Sequence, residues 1–226
     1  MRVGIIQSNY VPWKGYFDII ASVDAFFFHD DVQFTKGDWR NRNKIKTPTG
    51  SQWLTVPCGT NQKRLVCEVE MVDSSWQLAH WRRIEASYGK APHFQEYGPF
   101  FKDFYLGQNW QNLSDMNQHF VKRVAKDLLS LKTEFRDSRE LDLTMSKGDR
   151  VLELLRKAGA TEYVSGPAAK SYLDEKAFGS QNIQLEWFDY SNYPEYQQLH
   201  PPFDHAVSIL DLFFNLGPEA PSFMLQ

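Results

Sequence analysis

The sequence predicts an α/β protein: a mostly parallel sheet that carries a β-hairpin insertion and several surrounding helices. Three observations predict it. Short apolar runs alternate with helix-period segments along most of the chain, the pattern of βαβ units. Residues 3–29 contain one complete strand–loop–helix–strand unit. Between residues 44 and 56, two strand-like runs flank Pro48-Thr49-Gly50, which has the chemistry of a hairpin connection. The 226 residues are read as one α/β domain over 1–226, with a mainly helical middle segment around 75–131 and ample material for a core.

Taken in order, residues 3–7 form a short apolar run that reads as a buried parallel strand. The loop Ser8-Asn9-Tyr10-Val11-Pro12-Trp13 ends it, because Pro12 disfavours helix at Val11 and fixes its own φ. From Lys14 onward, Tyr16, Phe17, Ile19, Ile20 and Val23 give a helical apolar face, and residues 25–29 read as the second strand. Ligands of such sheets sit beyond the carboxyl ends of the strands. The loop 8–15 and residues 30–33 both lie at that end. Residues 66–72 alternate and read as another strand. Helices are expected at 75–88, with Ser74 or Ser75 as cap, at 99–106, and at 114–131, where Phe120, Val121, Val124, Leu128 and Leu131 form a stripe. A strand at 133–137 precedes an amphipathic helix at 146–158, stopped by Gly159. Strands at 162–165 and 183–188 follow, and a last helix at 208–216 is stopped by Gly217-Pro218.

A formal net charge of −3 and a pI near 6.1 argue against general nucleic-acid binding, which needs a basic footprint, although a local patch is compatible with them. No apolar run approaches the roughly 18 residues of a spanning helix, so no membrane partner is expected. Met1-Arg2-Val3-Gly4-Ile5-Ile6 runs straight into a strand and lacks the layout of a signal peptide. Cys58 and Cys67 make neither a disulfide framework nor a zinc motif, and read as reduced thiols of a cytoplasmic protein. The six histidines have no compact ligand spacing, so no metal site is assigned. A homo-oligomer is compatible with the sequence.

The densest chemistry lies in Trp39-Arg40-Asn41-Arg42-Asn43-Lys44-Ile45-Lys46, with four cations and two carboxamides beside a tryptophan. Read as a strand, Arg40, Arg42, Lys44 and Lys46 project to one face and Asn41, Asn43 and Ile45 to the other. A cationic stripe of this kind suits phosphate or carboxylate oxygens, and it equally suits a charged edge strand that discourages aggregation. Asp30, Asp31, Gln33, Asp38, Trp39 and Trp53 nearby favour a ligand. Asp30 and Asp31 follow the second strand, where adjacent residues point opposite ways. One of them would face the ligand as general base, magnesium ligand or ammonium acceptor, or the pair caps a turn. His80, between Trp76 and Arg83, is either a proton acceptor or a satisfied histidine. Tyr10, Trp13, Trp39 and Trp53 offer rings for a base or sugar, with Trp53 also reading as core. The run Val164-Ser165-Gly166-Pro167 offers backbone N–H groups to an anion. Lys170 is a further anion contact or an exposed lysine at a helix start.

Three stretches, Ile6-Gln7-Ser8-Asn9-Tyr10-Val11-Pro12-Trp13-Lys14-Gly15-Tyr16-Phe17, Asp30-Asp31-Val32-Gln33-Phe34 and Trp39-Arg40-Asn41-Arg42-Asn43-Lys44-Ile45, are followed in order by Trp53-Leu54-Thr55-Val56-Pro57, Tyr163-Val164-Ser165-Gly166-Pro167, Tyr172-Leu173 and Ser208-Ile209-Leu210-Asp211. Together they resemble the WbqC-like family over nearly the full chain. The resemblance implies a setting in bacterial O-antigen clusters and transfer of glycine or a related aminoacyl group to an amino sugar. Within the first stretch, Gln7, Tyr10, Trp13 and Gly15 are counted among the substrate-binding candidates, since that loop lies at the carboxyl end of its strand. The stretch from Asn9 to Tyr16 is also similar to the strand-end loop of nucleotidyltransferase-like α/β folds, acid–ATP ligases among them, whose histidines reach nucleotide phosphates. Here Trp13 and Tyr16 stand at the histidine positions, and an indole cannot accept a hydrogen bond or neutralise a phosphate.

The expected function is therefore a transferase or ligase that attaches an acyl or aminoacyl group, glycyl among the choices, to a nucleotide-linked amino sugar. Arg40, Arg42 and Lys44 would bind phosphate. Asp30 or His80 would take the amine proton, and Asn41, Asn43 or the N–H groups at Gly166 would support the oxyanion. The donor would be made in the site from ATP with magnesium or arrive on a carrier. Two rivals stand beside this: an ATP-using nucleotidyltransferase-like enzyme, and a non-catalytic partner in polysaccharide assembly with an exposed apolar patch around Phe213-Phe214.

Overall fold

A computed structural model describes residues 1–224 of the chain. Its strands are β1 (Arg2–Ile6), β2 (Ala25–Phe28), β3 (Arg42–Thr47), β4 (Gly50–Thr55), β5 (Glu134–Asp137), β6 (Glu162–Ser165) and β7 (Gln184–Trp187). Five of them form a parallel sheet in the order β5-β2-β1-β6-β7, and β3 and β4 form a separate antiparallel hairpin. Helices α1 (Lys14–Ala21), α2 (Ser75–Tyr88), α3 (Phe94–Leu106), α4 (Leu113–Arg123), α5 (Lys147–Ala158), α6 (Glu175–Ser180) and α7 (Ile209–Leu216) surround these sheets. The fold is thus α/β, with the expected parallel sheet and hairpin insertion.

Side chains that alternate along the strands divide the core in two. Phe26 and Phe28 join the cluster that contains α1, α2, α3, α4 and α7 residues. Val3, Ile5, Ala25 and Phe27 join the opposite cluster, with Val151, Leu154 and Leu155 of α5 and Phe178 of α6. All four residues of β2 are buried, as a strand covered on both faces requires. In the sheet, β1 lies between β2 and β6, and the chain order of the strands reverses between β1 and β6. The carboxyl ends of these two strands therefore diverge into a crevice, the ligand position of doubly wound sheets.

Several local expectations change. Residues 66–72 do not make a strand. The Val66 and Cys67 N–H groups donate to the Val32 and Asp30 carbonyls (both 2.9 Å), and the Glu68 carboxylate accepts from Leu65 N–H at 2.8 Å. These bonds wind a one-turn 3₁₀ helix at Val66–Glu68. The third helix starts at Phe94, upstream of Pro99, and the helix expected at 114–131 ends as α-helix at Arg123 and continues as a π-turn over Val124–Leu128. The short helix α6, capped by the Asp174 carboxylate on Lys176 N–H at 3.0 Å, had no clear sequence signal. Phe213 and Phe214 are buried against Tyr97, Phe101, Tyr88 and Phe94, so among the described residues these two form no exposed apolar patch. Among the described residues, no helix is long and apolar enough to cross a membrane.

Candidate functional site

A cleft of about 680 Å³ opens where the strand order reverses. Ile6 and Gln7 come to it from the end of β1, and Ser165, Gly166 and Pro167 from the end of β6. Trp13, Trp39, Tyr172 and Tyr190 supply aromatic wall, and Arg40, Lys147 and Arg150 supply positive charge. Of the residues singled out in the sequence, the cleft gathers Gln7, Trp13, Asp38, Trp39, Arg40, Ser165 and Gly166.

The cationic stripe does not form. The Asp38 carbonyl accepts from the N–H groups of Asn41 (3.1 Å) and Arg42 (3.2 Å), so residues 38–42 turn and the strand begins only at Arg42. Arg40 leaves that turn towards the cleft, where its guanidinium donates to Gln7 Oε1 and pairs with Asp38; its buried Nε has no hydrogen-bond partner among the described residues. Arg42 and Lys44 lie over the Trp53 ring at 4.2 and 5.5 Å, and Lys46 is buried with its ammonium on the Pro202 carbonyl. Cation–π contact across the hairpin thus holds two of the four cations away from the cleft.

Asn41 and Asn43 occupy the other face as expected, but that face is core. Asn41 Nδ2 donates to the Val56 carbonyl at 3.0 Å and its Oδ1 accepts from Gly37 N–H at 3.0 Å. Asn43 Nδ2 donates to the carbonyls of Tyr10 (3.2 Å) and Val11 (3.0 Å). Val11 has a φ of +36°, a left-handed conformation that costs a non-glycine residue about 1–3 kcal/mol. The Asn43 carboxamide holds the strand-end loop in that conformation. Both asparagines position backbone, and neither lines the main cleft.

Asp30 is fully buried: its Oδ1 accepts from Ser8 N–H at 2.7 Å, and its Oδ2 accepts from Ser114 Oγ at 2.5 Å and Gln118 Nε2 at 3.1 Å. Tyr10 packs against His80 on the buried face of α2, off the cleft. The Tyr10 hydroxyl is 2.7 Å from His80 Nδ1 and 2.8 Å from the Tyr105 hydroxyl. Gln33 is exposed and joins an isolated bridge to Leu65, and Lys170 is exposed with its ammonium 5.5 Å over Trp187.

Asp31 acts through a residue the sequence did not single out. Its Oδ2 pairs with Arg150, its Oδ1 accepts from Ser138 Oγ at 2.5 Å, and Arg150 Nε donates to His29 Nε2 at 3.2 Å. Arg150 and His29 both line the cleft. Burial pushes the His29 pKa below the ordinary histidine value; the Asp31 carboxylate opposes this and the Arg150 charge adds to it. The ring is therefore neutral near pH 7.

Trp13 is held rigidly, with ring centroids 5.1 Å from Tyr190 and 5.6 Å from Tyr193. Gly15 makes room for it, since a Cβ at that position would lie 2.4 Å from the indole. Gly15→Ala gains about 1 kcal/mol of helix propensity but overpacks the indole at a cost of about 1–3 kcal/mol. The expected result is a lower urea midpoint with an altered near-ultraviolet tryptophan signal. An unchanged spectrum with raised stability would show that the indole yields freely.

A smaller apolar annex of about 260 Å³ adjoins the cleft. The two share Asn9, Trp13 and Trp39, and Pro12, Asn43 and Ala206 complete the annex.

Fold and site together define an α/β protein with a strand-end cleft in which guanidinium groups meet aromatic walls. The chain belongs to the WbqC-like protein family, whose model matches residues 7–223. It is similar to the uncharacterized protein Rv1507c of Mycobacterium tuberculosis, with 44% identity over 225 residues covering 99% of this chain and 97% of that protein. No solved structure matches the chain.

Proposed function

We propose that this protein is an enzyme, a transferase or ligase that attaches an acyl or aminoacyl group, glycyl among the choices, to a nucleotide-linked amino sugar for bacterial surface polysaccharide. The observation that carries this reading is the strand-order crevice itself, with Arg40, Lys147 and Arg150 beside Trp13, Trp39 and Tyr172. Guanidinium forks suit a diphosphate, and the rings suit a base or a sugar. In the reaction, the acceptor amine attacks the activated carbonyl carbon and a C–N bond forms. The bond to the donor's leaving group breaks, and that group departs with the electron pair. The amine proton goes to His29 Nε2, which is freed when Arg150 turns to the substrate phosphate. His29 takes this role in place of Asp30 and His80, whose rings and oxygens are engaged away from the cleft.

The switch-point crevice equally favours an ATP-using nucleotidyltransferase-like enzyme. Against it, the Tyr16 hydroxyl is spent on the Gln7 carbonyl at 3.1 Å, and the Trp13 ring is packed on tyrosines, so neither offers a cation to a phosphate.

Thermal stabilisation separates the two. A ligand at about one hundred times its dissociation constant adds about 2.7 kcal/mol, which raises Tm by about 5–11 °C for a chain of this size. The expected result is such a rise with UDP- or dTDP-linked amino sugars, largely lost in Arg40→Ala and retained in Arg42→Ala. A rise with magnesium ATP alone would favour the nucleotidyl-transfer reading. No rise with any of them would overturn the cleft as a nucleotide site.

A further inference from the structure

The annex differs from the cleft in its chemistry. Among the described residues no charged side chain lines it; its walls are Trp13, Trp39, Pro12, Ala206 and two carboxamides. The Asn43 carboxamide is committed to backbone, with Nδ2 on two carbonyls and Oδ1 accepting from Lys44 N–H at 2.8 Å. The Asn9 carboxamide is not: among the described residues it makes no hydrogen bond, and it borders both cavities. A carboxamide there presents donors and an acceptor to whatever passes between the two.

We infer that the annex is the seat of the glycosyl ring, with Asn9 reading a ring hydroxyl or amide, while the nucleoside diphosphate fills the larger cleft. This rests on the nucleotide-sugar reading above and adds which half of the ligand goes where. Charge decides the direction. Arg40, Lys147 and Arg150 lie on the cleft against one carboxylate, Asp38, and among the described residues the annex offers no cation, so the phosphates go to the cleft. The phosphates join base and sugar, and only one of these can enter the annex. The smaller cavity takes the smaller half. Indole faces suit the C–H faces of a sugar ring, and the carboxamide suits its polar edge. Trp39 is 42% exposed, its ring tilted by 42° against Trp53 at 5.4 Å, so this wall of the annex reaches solvent.

The test is calorimetric titration of UDP and of a UDP-linked amino sugar, with the dTDP pair run in parallel, into wild type, Asn9→Ala and Ala206→Leu. Ala206 is exposed, and its N–H bond to Asp204 Oδ1 at 2.8 Å survives substitution, so Ala206→Leu narrows the annex without disturbing the core. Losing one good contact weakens binding by about tenfold. Each variant is expected to weaken the sugar nucleotide by that factor and to leave the bare diphosphate within about twofold. Equal weakening of both ligands, weakening of the diphosphate alone, or no change in either would overturn the annex assignment while the cleft reading stands. A wild-type protein that binds none of the four compounds would instead overturn the nucleotide-sugar reading, and the annex assignment with it.

Discussion

Asp30→Ala is expected to lower the unfolding free energy by about 3–5 kcal/mol, the range for opening a buried and fully satisfied polar network. The three donors that its carboxyl satisfies come from two elements: Ser8 after β1, and Ser114 and Gln118 on α4. Gln118 Nε2 also donates to Asp137 Oδ2 at 2.8 Å, at the end of β5. One side chain therefore clips a helix across the carboxyl ends of three neighbouring strands. Removing it strands the Ser8 N–H and the Ser114 hydroxyl proton in a buried site and leaves the Gln118 carboxamide with Asp137 and Ser114 alone. Asp30→Asn should cost less, because its oxygen can keep the Ser8 N–H and its NH₂ can donate to the Ser114 oxygen; the part that is still lost is the Gln118 bond, where one NH₂ then faces another. Urea melts of the three proteins at one pH check this through their midpoints at constant m. A loss below about 1 kcal/mol in Asp30→Ala, where a lost buried bond ordinarily costs more, would mean that the network re-forms without the carboxyl group.

Asp30 also marks the boundary of what the sequence makes legible. Its place after a buried strand, at the ligand-binding end of a βαβ unit, follows from local pattern and is correct. Its burial does not follow, because the cover comes from α4, 84 residues away at Ser114. The same divide runs through the site. Gln7, Trp13, Trp39, Arg40, Ser165 and Gly166 reach the cleft because strand ends and their loops are local features. Arg150 was invisible because its partner Asp31 lies 119 residues away and its helix shows only amphipathic periodicity. The cationic face failed for a local reason: period-two reasoning holds only once a strand has begun, and the Asp38 carbonyl delays that start to Arg42. Asn9 carried no signal beyond its membership in the loop, since a carboxamide without a partner is recognised only when all its neighbours are placed.

The second large effect is a pH dependence owed to His80. Its pKa is pushed down to about 4, first by burial and then by the Arg83 charge, with a hydrogen bond to the Thr55 backbone pulling the other way. With the ring proton given to the Thr55 backbone, Nδ1 of the neutral ring is left to accept from the Tyr10 hydroxyl 2.7 Å away, whose oxygen can then accept from Tyr105. A proton on Nδ1 would face the Tyr10 hydrogen and force the relay to reverse. Because the folded pKa is depressed, the unfolded chain holds the proton more tightly. The His80 contribution is complete above the unfolded value near pH 6.5, falls as the pH drops, and is fully lost below about pH 4. Across that window it amounts to about 3 kcal/mol. His29, His119 and His205 are depressed as well, and carboxylates titrate in the same range, so the useful quantity is a difference between two proteins. His80→Gln keeps an acceptor for Tyr10 and cannot titrate. Between pH 6.5 and 4 its stability should decline by about 3 kcal/mol less than that of the wild type. Parallel declines in the two proteins would place the Nδ1 proton in the folded state and reverse the relay inferred here.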